Sequence, residues 1–120
     1  MKNKLKLVLW GKNLQLPEDY DNLEFDRYEL IDNGGYDLYL YKNNEKIKYI
    51  WYWNNGNKYY ENNYKNEKLD GKQYRWYESG KLCYMSNYKN GWRDGKQYSC
   101  LYNGALYNET YYKDGVKINK

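Results

Sequence analysis

Residues 64–74 read Tyr-Lys-Asn-Glu-Lys-Leu-Asp-Gly-Lys-Gln-Tyr, and residues 88–98 read Tyr-Lys-Asn-Gly-Trp-Arg-Asp-Gly-Lys-Gln-Tyr. The offset between them is twenty-four residues, and it holds without a gap over the last seventy. Gly56, Gly80 and Gly104 fall in one column, Lys48, Lys72 and Lys96 in a second, and Ile50, Tyr74 and Tyr98 in a third. Tyr64, Tyr88 and Tyr112 form a fourth, each followed by Lys. Self-similarity at a fixed period marks a repeat architecture in which each unit is one supersecondary element. Three units are legible, at about 48–71, 72–95 and 96–118, with a fainter copy at 41–46.

Each unit reads as a β-hairpin. Asn55-Gly56, Ser79-Gly80 and Asn103-Gly104 separate runs rich in Tyr and Trp. Asn-Gly between such runs signals a two-residue type I′ turn, which needs positive φ at both central positions. In the middle unit Lys72–Tyr77 runs up and Leu82–Tyr88 runs down, and 89–95 connects to the next hairpin. That turn pairs Tyr77 with Leu82, Trp76 with Cys83 and Tyr74 with Met85. Alternation then predicts two faces. The first carries Ile50, Tyr52, Tyr59, Tyr74, Trp76, Cys83, Met85, Tyr98, Cys100 and Tyr107 and looks like a core. The second carries Trp51, Trp53, Tyr60, Arg75, Tyr77, Leu82, Tyr84, Leu101 and Leu106, mixed with Lys58, Ser99 and Asn108.

Composition agrees with a sheet held together by aromatic rings. Among 120 residues there are 19 Tyr and 5 Trp but only 13 Leu, 4 Ile and 2 Val, and mean hydropathy is −1.29. Each aromatic ring can bury roughly 150–250 Å², and aromatics favour strands. The length fits one domain. Its expected parts are a divergent strand and acidic cap at 1–40 followed by hairpin repeats at 41–120. Leu5, Leu7 and Leu9 alternate with lysines, which predicts a first strand at Lys4–Trp10. The apolar run Leu7–Trp10 is short for a signal-peptide core of about 7–15 residues, so a cytoplasmic location and no membrane partner are expected. Cys83 and Cys100 are expected as reduced thiols, with a disulfide between neighbouring strands geometrically open.

The 5 basic and 8 acidic residues of 1–40 contrast with 15 basic and 8 acidic in 41–120. All eight N-terminal acids lie in 18–37, among them Glu18, Asp19, Asp21, Glu24, Asp26 and Glu29. They read either as a solvated face or as a docking strip for a basic partner.

The stretches Tyr77-Glu78-Ser79-Gly80-Lys81-Leu82, Asn87-Tyr88-Lys89-Asn90-Gly91 and Asp94-Gly95-Lys96 resemble the MORN-repeat-variant family of YwqK-type antitoxin proteins, as do Tyr102–Leu106 and Tyr111–Gly115. The likeness covers about residues 41–115. It implies an antiparallel meander of hairpins with a binding or scaffolding role, and supplies no catalytic residue. Ser86 stands where the family pattern has Gly.

Little catalytic chemistry is available. The chain has no His, which removes Ser-His-Asp and Cys-His arrangements. Glu61 and Glu109 share a column, but four strand spacings separate them by about 19 Å, beyond the ~5–9.5 Å of a glycosidase pair. No metal or cofactor is expected. What remains are surfaces. Trp51, Trp53, Tyr60, Arg75, Tyr77 and Tyr84 are the candidate contacts on the second face, because Trp, Tyr and Arg dominate interface energetics. Trp92 and Arg93 form a second candidate contact on a loop. The expected function is a non-enzymatic protein-binding module, an inhibitor or antitoxin that occupies a toxin or nuclease. The alternative is single-stranded nucleic-acid binding by basic aromatic hairpins.

Overall fold

The computed structural model describes residues 1–119. A ten-residue helix, α1 (Lys2–Gly11), opens the chain, and a 3-10 turn follows at Tyr20–Asn22. The strands are β1 (Arg27–Asp32), β2 (Tyr36–Lys42), β3 (Glu45–Tyr52), β4 (Lys58–Lys65), β5 (Lys68–Leu69), β6 (Gly71–Trp76), β7 (Leu82–Lys89), β8 (Trp92–Cys100), β9 (Leu106–Lys113) and β10 (Val116–Ile118). They form one antiparallel meander in sequence order, with the short β5 paired to β4 only. The all-β meander expected from the repeat is therefore the observed fold. The sheet begins at Arg27, so its first two strands lie inside or across the segment 1–40.

The expected strand at Lys4–Trp10 is a helix. Leu5 and Leu9 are one helical turn apart and fully buried, while Leu7 between them is 71% exposed. The i, i+4 pair belongs to both periodicities in sequence, and residue composition decides between them. Lys and Leu are strong helix formers, and Val8 is the segment's single β-branched residue.

The hairpin ends fall where the glycines predict, but with a different turn. The N–H groups of Trp53, Tyr77 and Leu101 donate to the carbonyls of Asn57, Lys81 and Ala105. Inside each loop, Gly56, Gly80 and Gly104 donate back to residues 53, 77 and 101. These glycines have φ of 91°, 96° and 94°. They close three-residue loops of the type I plus G1-bulge kind. Each hairpin then carries a second irregularity one step on, between Trp51/Tyr52, Arg75/Trp76 and Ser99/Cys100. Trp76 therefore pairs with Leu82 rather than Cys83, while Tyr74 still faces Met85. Tyr59, Cys83 and Tyr107 are the extra residues. A bulge reverses alternation, so Lys58, Leu82 and Leu106 move to the first face and Tyr59 to the second.

The two-residue turns with positive φ lie at the opposite end of the sheet. They are Asn43-Asn44, Asn66-Glu67, Asn90-Gly91 and Asp114-Gly115. The stretch 89–95 is thus a turn and the start of β8, not a connector. Side chains brace these turns across the repeat. Asp26, Asp70 and Asp94 accept from the N–H groups of Asn43, Asn90 and Asp114.

Residues 1–25 form a cap on the first face. Leu5, Leu9, Leu14, Tyr20 and Leu23 pack against Leu38, Leu40, Ile50 and Tyr52. Gln15 sews the cap to the first full hairpin: its N–H donates to the Gly56 carbonyl, and its own carbonyl accepts the Tyr52 hydroxyl at 2.7 Å. Beyond β7 no apolar side chain among the described residues is buried, and Leu106, Tyr107, Val116 and Ile118 are all exposed.

Candidate functional site

The first face is closed around a buried charge cluster. Glu61 is fully buried, and Lys48 and Lys58 nearly so. Lys48 Nζ stands 2.6 Å from Glu61 Oε2, and Lys58 Nζ stands 2.9 Å from Oε1. The cap completes the cluster: Asp19 lies 3.0 Å from Lys48, Glu18 lies 3.2 Å from Lys58, and the Glu18 N–H donates to the Glu61 carboxylate. Lys58 also lies over the Trp76 ring.

This cluster divides the acidic segment. Glu18 and Asp19 hold the cap, Glu24 pairs with Lys42, Asp26 braces the first tight turn, and Glu29 pairs with Arg27 on β1. Asp21 lies in the 3-10 turn. The six do not form one outward strip, because lysines, Arg27 and the Asn43 amide of this same chain draw five of them to separate places.

The second face is open. On β2–β4 it carries a continuous chain of rings. Tyr39 stacks on Tyr49 at 4.7 Å, Tyr49 meets Tyr60 edge-on, Tyr60 meets Trp51, and Tyr59 lies between Trp51 and Trp53 at 4.7 and 4.3 Å. Trp51 is 37% exposed. Burial and the hydrogen bond to Asp37 push the Tyr49 hydroxyl pKa well above its ordinary value.

Farther along, the second face changes character. β4 and β6 present Tyr60, Asn62, Tyr64, Gln73 and Arg75, and β7 presents Tyr84, Ser86 and Tyr88. β8 to β10 add Arg93, Gln97, Ser99, Asn108, Thr110, Tyr112 and Lys117. No carboxylate occupies this face from β4 to β10 among the described residues. Two hollows open on it and share Tyr84. One, of about 320 Å³, includes Tyr60, Arg75, Tyr84 and Ser86 in its lining; the other, of about 290 Å³, includes Tyr84, Arg93, Gln97 and Lys117. Buried amides shape both. Gln73 exchanges hydrogen bonds with the Asn63 backbone where β4 and β6 separate, and Gln97 accepts from Tyr84 and donates to the Asn87 carbonyl.

The predicted contacts thus divide by role. Trp51, Trp53 and Tyr60 belong to the ring chain, and Arg75 and Tyr84 to the first hollow. Tyr77 is tied inward, its hydroxyl donating to the Cys100 carbonyl at 2.7 Å. Trp92 and Arg93 start a strand rather than occupying a loop. Trp92 is 64% exposed and covers Gly115, where an added Cβ would stand 2.5 Å from its ring. Arg93 lies over the Tyr112 ring and donates to the Tyr88 hydroxyl. Cys83 and Cys100 are free thiols. Sequence reasoning missed Lys48, Glu61, Gln73, Ser86 and Gln97. The signal for the amides was present, since Gln73 and Gln97 are one period apart in the quoted repeat.

No protein-family profile matches the chain, and no curated protein does. Among solved structures it is similar to a chain of the Glycosylation Associate Protein (Gap123) complex from Streptococcus agalactiae, at 19% identity and a TM-score of 0.49 over 88% of this chain. It is also similar to a chain of accessory secretory protein 1, 2 and 3 in Streptococcus pneumoniae, at 15% identity and 0.49 over 85%. The chain spans about a fifth of the length of each. No helix among the described residues is long and apolar enough to cross a membrane.

Proposed function

We propose that this chain is a non-enzymatic protein-binding module that acts by occupying a partner, a toxin or nuclease being the kind of target an inhibitor of this shape would serve. One observation carries the reading: the cap covers the first face only, leaving the Trp51–Tyr60 ring chain open beside a carboxylate-free surface. Aromatic rings and arginines are the residues from which interface hot spots are built, and a rigid antiparallel sheet presents them without ordering cost on binding. Kinship with the MORN-repeat-variant proteins is part of the same proposal. It is supported by the period, the Asn-Gly and Asp-Gly turns and the Asp braces between units.

The test is affinity capture from source cells with wild-type protein and with a Trp51→Ala/Tyr60→Ala double variant. A stoichiometric protein held by the wild type and lost by the variant supports the reading. Inhibition of that protein's activity on adding the chain supports the inhibitor role. Equal capture by both proteins removes the second face from consideration.

Single-stranded nucleic-acid binding is the second reading, favoured by the absence of carboxylates around Arg75 and Arg93. It requires an affinity that falls steeply with salt, as phosphate neutralisation dictates. An oligonucleotide that fails to bind at low salt eliminates it.

A further inference from the structure

Ser86 is 1% exposed, and its hydroxyl has no hydrogen-bond partner. It lines the hollow between β4, β6 and β7. Buried polar groups are nearly always paired, and an exception asks for a reason. Gln73 and Gln97 flank Ser86 from β6 and β8, and both side-chain amides bond elsewhere, to the Asn63 backbone, the Tyr84 hydroxyl and the Asn87 carbonyl. At the mouth stands Arg75, which is exposed and makes no ion pair among the described residues. A guanidinium without an ion-pair partner and an unsatisfied hydroxyl lining one hollow make an incomplete anion site. Guanidinium recognises planar oxyanions through two parallel N–H donors, and Ser86 supplies a third donor from the floor.

We propose that this hollow is the subsite for a carboxylate side chain of an acidic protein segment lying along the second face. The proposal rests on the protein-binding reading above and names the chemistry of the partner. Charge complementarity selects the occupant. From β4 to β10 the face offers Arg75, Arg93 and Lys117 and no acid, so an acidic segment meets attraction along its whole path. The same count disfavours a nucleic-acid strand. Three cations spread over six strands make a thin track for a continuous row of phosphates. The stacked rings at Trp51, Tyr59 and Trp53 also turn their faces to one another, leaving few platforms for bases. Amides and hydroxyls fill the remaining positions, and these suit a peptide backbone.

The probes are fluorescein-labelled deca-glutamate, deca-glutamine and a twelve-residue oligo-dT, followed by anisotropy. Deca-glutamate is expected to bind at least tenfold more tightly than deca-glutamine. Arg75→Ala should weaken deca-glutamate at least tenfold, with Arg75→Lys intermediate. Ser86→Ala should weaken it about threefold to fivefold while raising the thermal midpoint, since an unsatisfied hydroxyl is removed. That opposition of affinity and stability is the signature of a hydroxyl kept for a ligand. Equal binding of the two peptides overturns the proposal, as does indifference to Arg75→Ala or tighter binding of oligo-dT. A captured partner lost with Trp51→Ala/Tyr60→Ala but unaffected by Arg75→Ala removes the subsite and leaves the module. Arg75-dependent deca-glutamate binding with no protein captured supports the subsite chemistry and counts against the module.

Discussion

Glu61 is the residue on which the cap and the sheet both depend. Two lysine ammonium groups and one backbone N–H converge on its carboxylate inside the protein. Removing one partner of a buried ion pair leaves uncompensated charge and costs about 3–5 kcal/mol. Glu61→Gln should therefore lower the unfolding free energy obtained from urea denaturation by an amount in that range. Glu109→Gln, two periods along the same column, alters a solvent-accessible pair with Lys96 and should cost at most about 1 kcal/mol. Tyr52 sets an alkaline limit. It is 2% exposed, and burial followed by the Glu61 charge holds its hydroxyl pKa far above the ordinary 10.0. Above pH 10 the unfolded chain releases that proton and the folded chain keeps it. The stability this group contributes is whole below pH 10 and declines above it by about 1.4 kcal/mol per pH unit. Chemical denaturation between pH 9 and 11.5 should show this slope, and Tyr52→Phe should reduce it. An unchanged slope in the variant would place the alkaline sensitivity elsewhere.

At the scale of elements, the turns show how far sequence could be read. Position was legible, because glycine columns mark chain reversals whatever the turn type. Turn type was not, since Asn-Gly and Ser-Gly serve a two-residue turn and a G1 bulge alike, and the choice depends on strand twist and on what packs behind. That one ambiguity misplaced Tyr59, Lys58, Leu82 and Leu106, and with Lys58 it hid the charge cluster. The helix was misread for a similar reason, as leucines at 5, 7 and 9 satisfy alternation until the sheet selects 5 and 9. Equivalent glycines also differ in what surrounds them. A Cβ on Gly104 meets nothing nearer than 3.6 Å, whereas on Gly56 it would stand 1.9 Å from the Asn13 carbonyl oxygen. Gly104→Ala should cost only the left-handed strain, about 1–2 kcal/mol. Gly56→Ala should cost more and also lift the cap, exposing 12–16 to limited proteolysis. Equal thermal shifts, with no new cleavage, would show that the cap gives way without detaching.

The whole molecule is a repeat array capped unequally. In such arrays each unit contacts its neighbours alone, and stability is close to a sum of unit and interface contributions. Here the first units bear the cap: Leu38, Leu40 and Ile50 are fully buried. The last unit leaves Leu106, Tyr107, Val116 and Ile118 exposed, and β10 pairs through three residues whose side chains are all exposed. The period could not reveal this asymmetry, because the columns are the same in sequence and only residues 1–25 break the equivalence. The same asymmetry explains why the candidate site was half legible. Trp51, Tyr60, Arg75 and Tyr84 could be placed by alternation, whereas Ser86 gained its meaning only once its neighbours were seen to ignore it. Local opening free energies in proteins run from near zero at uncovered ends to the global value in the core. Amide exchange should therefore be graded along the sheet. The strands β2 to β4 should exchange at the global unfolding rate, β6 and β7 faster, and β9 and β10 faster still, with Tyr111 and Tyr112 protected less than Tyr49 and Ile50. Binding of an acidic segment along the second face would bridge β4 to β10 and flatten the gradient, slowing β8 and β9 most. Uniform exchange in the free protein would mean that the ladder transmits the cap's stabilisation to the far edge, and the sheet would then behave as one cooperative unit.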